Sequence, residues 1–208
     1  MKKLLFTIIA IVLYQIVPLL GASELIFHWK SIVMIFMAAV LWLSQPSVVS
    51  SNFDTDKNTL WVILGMAGVS TIVPELDWAY RLQNQDDIPL WNSIGLTLMF
   101  GGLLFRVWAI YTLGKNFTST VQTSNEQNLV QTGIYTKLRH PSYLGAFVAI
   151  VGCSVLLQSW IGFVVAFAAM SFAYYKRISV EERALQSHFG EKYFDYQARS
   201  WRMLPYVW

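Results

Sequence analysis

Long stretches without charged residues dominate the first half of the chain. Four such windows cover residues 4–21, 31–52, 60–74 and 88–105, and the last continues past Arg106 to residue 114. The hydrocarbon core of a bilayer is about 30 Å thick, and an α-helix of about 20 apolar residues crosses it. The pattern therefore predicts four membrane-spanning helices in this half.

A fifth window differs from the others in its length. Residues 141–175 are 35 consecutive positions without Asp, Glu, Lys or Arg. One helix of that length would extend about 52 Å, well beyond the hydrocarbon core. We therefore expect a helical hairpin with its turn at Gln158 and Ser159, because polar residues beside Trp160 suit the membrane interface. Each arm would then have about 16 residues and would only just cross the bilayer.

The composition agrees with a membrane protein. Of the 208 residues, 55% are hydrophobic and 13% are charged, whereas soluble domains have roughly 25% charged residues. The predicted fold class is all-α, a polytopic transmembrane helix bundle with four N-terminal spans, a C-terminal helical hairpin and a cytoplasmic cap helix. The first apolar run exceeds the usual length of a signal-peptide core, about 7–15 residues, so we interpret it as a retained helix.

The basic residues predict an orientation. Lys2 and Lys3 place the N-terminus on the cytoplasmic side by the positive-inside rule. The connection after residue 114 and the tail that begins with Lys176 and Arg177 then also lie inside, and both carry basic residues as the rule requires. We expect a multi-pass protein with a cytoplasmic active site, and the short chain with its Met-Lys-Lys start favours a prokaryotic inner membrane.

Two kinds of partner are disfavoured. The net charge is +3, but the basic residues flank membrane windows and form no stripe, so we expect no nucleic-acid partner. Cys153 is the only cysteine, and His28 and His188 have no partner at metal-ligand spacing. We therefore expect no metal site.

The segment after residue 175 has the pattern of a cytoplasmic cap. Leu185, Phe189 and Tyr193 are spaced four apart, which predicts an amphipathic helix over residues 180–196 with a break at Gly190. Residues 201–208 mix aromatic side chains with one arginine and are expected to lie along the membrane surface.

Polar and aromatic residues are concentrated in residues 129–145, LVQTGIYTKLRHPSYLG. Pro141 disfavours helical geometry at His140 and favours the first turn of a helix after it. Arg139 and His140 would thus lie at a helix N-terminus, which attracts anions. The alternative is a cluster of residues that only anchors the chain at the interface.

A second polar cluster follows the hairpin and consists of Lys176, Arg177, Glu181 and Glu182. Arg177 and Glu181 are four apart and share a helix face, so the simplest interpretation is a surface ion pair. The hairpin returns the chain to the membrane face that it left. We therefore expect Arg177 and Glu181 to approach His140 and Tyr143 and to form a shared site.

Arg106 lies deep in the fourth window, where a charge is costly and is usually buried for a purpose. We interpret it as structural support for a site. The alternative is a side chain that snorkels towards the boundary near Gly114.

Three blocks of the second half resemble a known family. They are RVWAIYTLGKNF at 106–117, NLVQTGIYTKLRHPSYLG at 128–145 and RISVEERALQSHFGEKYFDY at 177–196. Their order and spacing resemble the isoprenylcysteine carboxyl methyltransferases, within the wider group of membrane methyltransferases that includes the phospholipid methyltransferases. The resemblance covers residues 100–208, whereas the preceding residues match only as hydrophobic helices. We therefore expect one membrane domain, with residues 1–99 as scaffold and 100–208 as methyltransferase core and cap.

The resemblance implies S-adenosylmethionine as methyl donor, held between the cap and the helices. It implies donor binding by Gln122, Gln127, Leu129, Val130, Tyr135, His140, Pro141, Ser142, Tyr143 and Glu181. It also implies a substrate-side role for Arg177. The sequence departs from the family at Gln127, where a histidine is common, and its loop after Gln122 is shorter.

The leading functional hypothesis is methyl esterification of an isoprenylcysteine or a similar lipophilic carboxylate. Such an acceptor is already ionised at neutral pH, so Arg177 need only position it. Methyl transfer to a lipid amine or a small thiol is the alternative, and an amine would require a base, for which Glu182 is the candidate. Arg177 and Glu182 are therefore the predicted catalytic residues. A membrane scaffold without activity is the third possibility, and membrane lipids are expected partners in each case.

Overall fold

The computed structural model describes residues 2–45, 53–82, 87–114 and 128–206, with the side chains of residues 2 and 53–58 left aside. Within these ranges the regular elements are helical, and the only strand-like pairing is one isolated bridge. The α-helices of this part of the chain are α1 Lys2–Ile11, α2 Trp29–Ser44, α3 Phe53–Leu76, α4 Pro89–Leu113, α5 Pro141–Leu156, α6 Trp160–Phe189 and α7 Glu191–Ala198.

In the described part of the chain, four helical segments are long and apolar enough to cross a membrane. They are Lys3–Leu25, Thr59–Arg81, Pro89–Leu113 and Trp160–Phe189. Two shorter apolar helices, α2 and α5, have 16 residues each, or about 24 Å at the α-helical rise. The prediction of an all-α, multi-pass membrane protein is confirmed. The second predicted span is shorter than its window, because α2 ends at Ser44.

The predicted hairpin turn is confirmed. Helix α5 ends at Leu156, and Gln158 adopts a φ of 57°, which reverses the chain. Ser159 then caps α6, because its Oγ accepts a hydrogen bond from the backbone N–H of Gly162 at 2.8 Å. An N-cap serine satisfies one of the free N–H groups at a helix start.

Three helices differ from their predicted bounds. Helix α1 continues through a π-helical turn, Val12–Ile16, and a 3-10 segment, Val17–Leu25. Helix α3 continues through a second π-helical turn, Asp77–Arg81. Helix α6 runs unbroken from the membrane into the cap, so the predicted cap helix from residue 180 is the continuation of α6. The predicted break at Gly190 is confirmed by its φ of 55°.

Small residues allow α4 and α5 to pack closely. A Cβ atom on Gly102 would lie 2.6 Å from the backbone N of Ala149, and one on Gly145 would lie 2.6 Å from the backbone N of Arg106. Gly-rich contacts of this kind are typical of helix pairs in membranes, because they let the backbones approach. Helix α5 therefore occupies the centre of the bundle, and most of its residues are buried.

The two ends of the bundle carry polar groups. At the end with the hairpin turn, the Asp87 carboxylate accepts hydrogen bonds from Lys30 at 2.7 Å, Asn92 at 2.8 Å and Gln158 at 2.5 Å. We call these four residues the Asp87 network. Burial raises the pKa of Asp87, but the hydrogen bonds from Lys30 and Asn92 outweigh this effect and hold the pKa below its usual value. The other end, where α5 begins, carries the predicted site.

Candidate active site at the start of helix α5

The segment before α5 is fixed by the C-terminal tail. The backbone N–H of Arg139 donates to the carbonyl of Trp201 at 2.8 Å, and that of His140 donates to the carbonyl of Arg202 at 2.9 Å. The N–H of Trp201 donates to Lys137 at 2.9 Å. This parallel pairing holds the chain extended up to His140, where Pro141 begins the helix. Trp201 and Arg202 are thus paired with this segment, and the location of residues 201–208 along the membrane surface stays a prediction.

Glu182 is the centre of a buried ion-pair network. Its Oε1 lies 2.7 Å from Arg139 Nε and its Oε2 lies 2.7 Å from Arg202 Nε, while its own side chain is 3% exposed. Arg139 also donates from Nη1 to the backbone carbonyls of Gln197 and Ser200. These contacts join the start of α5, the C-terminal half of α6, and α7 with its tail. The sequence predicts Glu182 as a catalytic base, but a buried carboxylate held by two guanidinium groups is a poor proton acceptor.

His140 lies between the two glutamates. Its Nδ1 is 3.9 Å from Glu181 Oε1, and its Nε2 is 3.4 Å from Glu182 Oε1. The side chain is buried, yet Nε2 has no partner of hydrogen-bonding geometry in the described part of the chain. The ring stacks on that of Tyr143 with the centroids 5.8 Å apart. A buried donor or acceptor without a hydrogen bond is costly unless a ligand or water satisfies it.

Tyr143 connects Glu181 to Arg177. Its hydroxyl donates to Glu181 Oε2 at 2.8 Å and accepts from Arg177 Nε at 3.3 Å. Arg177 also donates from Nη1 to Thr59 on α3 at 3.0 Å, and its side chain is buried. Glu181 is the more accessible end of this chain of contacts, with 29% of its side chain exposed. The predicted approach of Arg177 and Glu181 to His140 and Tyr143 is therefore confirmed.

Three tyrosines lie beside this cluster. Tyr135 donates its hydroxyl to the carbonyl of Ala109 at 3.3 Å, and Tyr196 donates to the carbonyl of Tyr135 at 2.6 Å. Burial raises the pKa of Tyr135, and the carboxylate of Glu181 raises it further. Tyr193 is buried, and its hydroxyl has no hydrogen-bond partner among the described residues. Burial and then the carboxylate of Glu182 raise its pKa, so it stays a neutral hydroxyl at physiological pH.

Arg106 on α4 supports the candidate site through hydrogen bonds. Its Nη1 donates to the carbonyl of Ser142 at 3.0 Å and its Nε to Ser44 at 3.1 Å, and the residue is 2% exposed. The alternative of a snorkelling side chain is wrong, because the guanidinium is held inside the bundle. Arg106 thus fixes the first turn of α5 relative to α4 and α2.

The remaining predicted donor residues have different positions. Pro141 and Ser142 are buried in the first turn of α5, where Ser142 contributes its carbonyl to Arg106. Leu129 and Val130 are half-buried in irregular backbone before the 3-10 turn Gly133–Thr136. Gln122 and Gln127 lie outside the described residues. The donor-binding roles of all these residues stay predictions.

Sequence reasoning missed three residues that build the site. Arg202 and Tyr193 lie in the segment interpreted as a surface cap and tail, and Arg139 was expected only to attract an anion. Their spacing carries no periodic signal that links them to Glu182. Glu182 could have indicated the two arginines, since a carboxylate inside a protein requires cationic partners.

Comparisons with known proteins agree with this arrangement. The sequence model of the isoprenylcysteine carboxyl methyltransferase (ICMT) family matches residues 94–187, a range that contains His140, Tyr143, Arg177, Glu181 and Glu182. A protein-S-isoprenylcysteine O-methyltransferase of Tribolium castaneum is 31% identical over 186 residues, which cover 88% of this chain and 63% of that protein. Protein-S-isoprenylcysteine O-methyltransferase B of Arabidopsis thaliana is 35% identical over 119 residues, covering 56% of this chain and 60% of that protein.

The chain thus spans less than two thirds of the length of these curated relatives. A solved structure of the eukaryotic intramembrane Ras methyltransferase ICMT superimposes with a TM-score of 0.62 at 25% identity, over 99% of this chain and 75% of that one. The 186-residue alignment reaches well into the first hundred residues. The family model begins at residue 94, and the division of the chain into a scaffold and a methyltransferase core stays a prediction.

Proposed function

We propose that the chain belongs to the isoprenylcysteine carboxyl methyltransferase family, whose model matches residues 94–187, and that it methylates the carboxylate of an isoprenylcysteine or a similar lipophilic acid, with S-adenosylmethionine as donor. The observation that carries the proposal is the contact chain from Glu181 through Tyr143 to Arg177. It places a carboxylate suited to the donor beside a cation suited to an acidic acceptor.

The residues at the start of α5 fit this donor. S-adenosylmethionine, when bound, supplies an electrophilic methyl group on a sulfonium. The buried Nε2 of His140 lies 3.4 Å from Glu182 Oε1 without a hydrogen bond of good geometry in the described chain, and the residue lies at the helix N-terminus that attracts a carboxylate. Glu181, partly exposed, can accept hydrogen bonds from the amine or the ribose hydroxyls. Tyr193 offers a buried hydroxyl without a hydrogen-bond partner among the described residues, and Tyr135 offers a buried aromatic ring.

Arg177 is the residue that we assign to the acceptor. It lies one helical turn before Glu181 on α6, on the membrane side of the donor residues. A guanidinium binds a carboxylate in a fixed fork geometry and keeps its charge when buried. Arg177 would orient one carboxylate oxygen towards the methyl group, and Tyr143 and Thr59 hold the guanidinium in place for this purpose. Arg177 would thus accelerate the reaction by orienting the acceptor in a site from which water is excluded.

The position of Glu182 favours a carboxylate acceptor over an amine. An amine must lose a proton before it attacks, and Glu182 was the candidate base. The carboxylate of Glu182 is 3% exposed and lies 2.7 Å from both Arg139 and Arg202. It is therefore assigned a positioning role. Methyl transfer to a lipid amine or a thiol is accordingly the second choice.

The location of the site suits a lipophilic acceptor. Arg177 lies on a helix that crosses the membrane, so an apolar tail can reach it sideways between helices while the carboxylate stays near the surface. The positive-inside pattern of the sequence favours a cytoplasmic location for this face. The expected prokaryotic inner membrane stays a prediction, and the two relatives described above are eukaryotic.

The proposal is tested with purified protein, donor labelled in its methyl group and a farnesylated cysteine analogue. We expect a product whose label is released by mild alkali, as a methyl ester requires. A product stable to alkali would point to an amine or a thiol instead. Absence of any affinity for S-adenosylmethionine or its demethylated product would favour the non-enzymatic scaffold.

A further inference from the structure

A pocket of about 200 Å³ lies at the end of the bundle opposite the candidate site. Its walls come from the ends of α3 and α4, from α5, and from the start of α6. The residues that the argument uses are Arg81, Trp91, Ser154, Val155, Trp160 and Phe163. Its volume is below the 300–1,000 Å³, approximately, of a site for a drug-sized molecule. It therefore suits a segment of a larger, flexible ligand.

This pocket is separate from the candidate active site. Ser159 at the pocket and Glu181 at the site are 22 positions apart along the continuous helix α6, which corresponds to about 33 Å. That distance is close to the thickness of a bilayer core, about 30 Å. A ligand in this pocket would therefore lie at the membrane face opposite the candidate active site.

Ser154 is one of the residues that line the pocket, and its buried hydroxyl is unsatisfied in the described ranges. Serines and threonines in membrane helices commonly donate to the carbonyl four residues earlier, and in this chain Ser70, Thr97, Thr112 and Ser179 do so. Ser154 is fully buried, and its Oγ has no hydrogen-bond partner in the described ranges. A hydroxyl in this state requires a ligand or water that accepts or donates a hydrogen bond.

The rim of the pocket has the composition of a membrane interface. The rings of Trp91 and Trp160 meet edge to face with centroids 5.2 Å apart, and Phe163 packs on Trp160 at 6.0 Å. Tryptophan is enriched where headgroups meet acyl chains. Arg81, at the rim, is 53% exposed and uses two of its N–H groups on Asp77. A guanidinium has five such donors, so it can also contact a phosphate.

We propose that this pocket binds the ester region of one phospholipid in the leaflet opposite the candidate site. The Ser154 hydroxyl donates to an ester carbonyl, the acyl chain follows Val155 and Phe163, and the phosphate lies against Arg81. An acyl ester is the lipid group that combines a hydrogen-bond acceptor with an adjoining apolar chain, which are the two features that the wall offers.

The test is competition against a photoactivatable phospholipid in lipid nanodiscs. The competitors are a diacyl phospholipid and its ether-linked analogue, which has the same headgroup and chains but no ester carbonyl. We expect labelling to map to Trp91, Trp160 and Phe163, and the diacyl lipid to compete about three- to tenfold better, as one hydrogen bond would give.

Two matched variants complete the test. In Ser154→Ala the preference for the diacyl lipid should disappear, whereas in Ser93→Ala, whose hydroxyl bonds to the carbonyl of Pro89 outside the pocket, it should persist. Thermal unfolding in detergent checks that both variants are folded. Equal competition by the two lipids, or labelling spread evenly over other lipid-facing residues such as Phe36 and Phe100, would overturn the proposal.

Discussion

Arg139 Nε lies 2.7 Å from Glu182 Oε1 in the protein interior, and this ion pair joins the start of α5 to the C-terminal half of α6. Arg202 contacts the other oxygen of the same carboxylate from the C-terminal tail. Three segments that are distant in sequence therefore meet at one glutamate. Residues His140 and Glu181, which carry the proposed chemistry, are neighbours of this junction.

We expect Glu182→Gln to act mainly on stability. Breaking a buried ion pair typically costs about 3–5 kcal/mol, because the partner charges stay buried. The variant should show a lower melting temperature in detergent and weaker donor binding, and Glu191→Gln, at an exposed position of α7, serves as control. An unchanged melting temperature and donor affinity together with lost turnover would instead make Glu182 catalytic.

Tyr143→Phe should separate the two halves of the site. It removes the hydroxyl that contacts Glu181 and Arg177 but keeps the ring that stacks on His140 and Tyr174. Hydrogen bonds to charged groups contribute about 1.5–3 kcal/mol, so kcat/KM should fall about 10- to 150-fold. Steady-state kinetics and thermal unfolding on the same preparation measure this. A fall in stability comparable to the fall in activity would show that the hydroxyl is mainly structural.

His140→Ala and Arg177→Ala should differ in their effect on donor binding. His140→Ala should weaken binding of the demethylated product, measured by titration calorimetry, because it removes the buried nitrogen at the helix start. Arg177→Ala should leave that affinity nearly intact and abolish turnover. Thr59→Val, which removes one hydrogen bond to Arg177, is expected to lower turnover less. Equal donor affinity of His140→Ala and the parent would contradict the assigned pocket.

Two adjacent glycines on α4 should respond differently to alanine. A Cβ on Gly102 would lie 2.6 Å from backbone atoms of α5, whereas a Cβ on Gly101 would meet nothing within 4 Å. Overpacking of a close contact costs about 1–3 kcal/mol, so Gly102→Ala should lower the melting temperature and Gly101→Ala should not. Equal melting temperatures would show that α4 and α5 can separate without cost.

The Asp87 network should make stability depend on pH in the acid range. A carboxylate whose pKa is held below its unfolded value stabilises the fold above that unfolded pKa, and the stabilisation is lost as the pH falls through the folded pKa. The pKa of Asp87 is lowered in this way. The parent should therefore lose more stability than Asp87→Asn when the pH is lowered from 6 towards 3, as unfolding curves across this range would show. Parallel curves would mean that Asp87 contributes nothing to acid sensitivity.

The hairpin and the meeting of Arg177 with His140 could be predicted because both follow from chain length and charge. A 35-residue uncharged stretch must turn, and a turn returns the chain to the face that it left. The continuity of α6 could not be predicted in this way, because its apolar stripe ends in the membrane while its helical geometry continues. The pairing of Trp201 with the segment before α5 was missed for a related reason. Backbone hydrogen bonds between distant segments depend on tertiary position and leave no periodic trace.

Because Arg139 pairs with the C-terminal tail, the site can form only after the tail has been synthesised. Arg139 contacts Ser200, 61 positions later in the chain, and synthesis at about 5–20 residues per second separates the two by roughly 3–12 seconds. During that interval α5 can enter the membrane while His140 lacks its backbone partner. A nascent chain of this protein is thus inserted before its site is complete, and the site becomes competent only after the tail has been made.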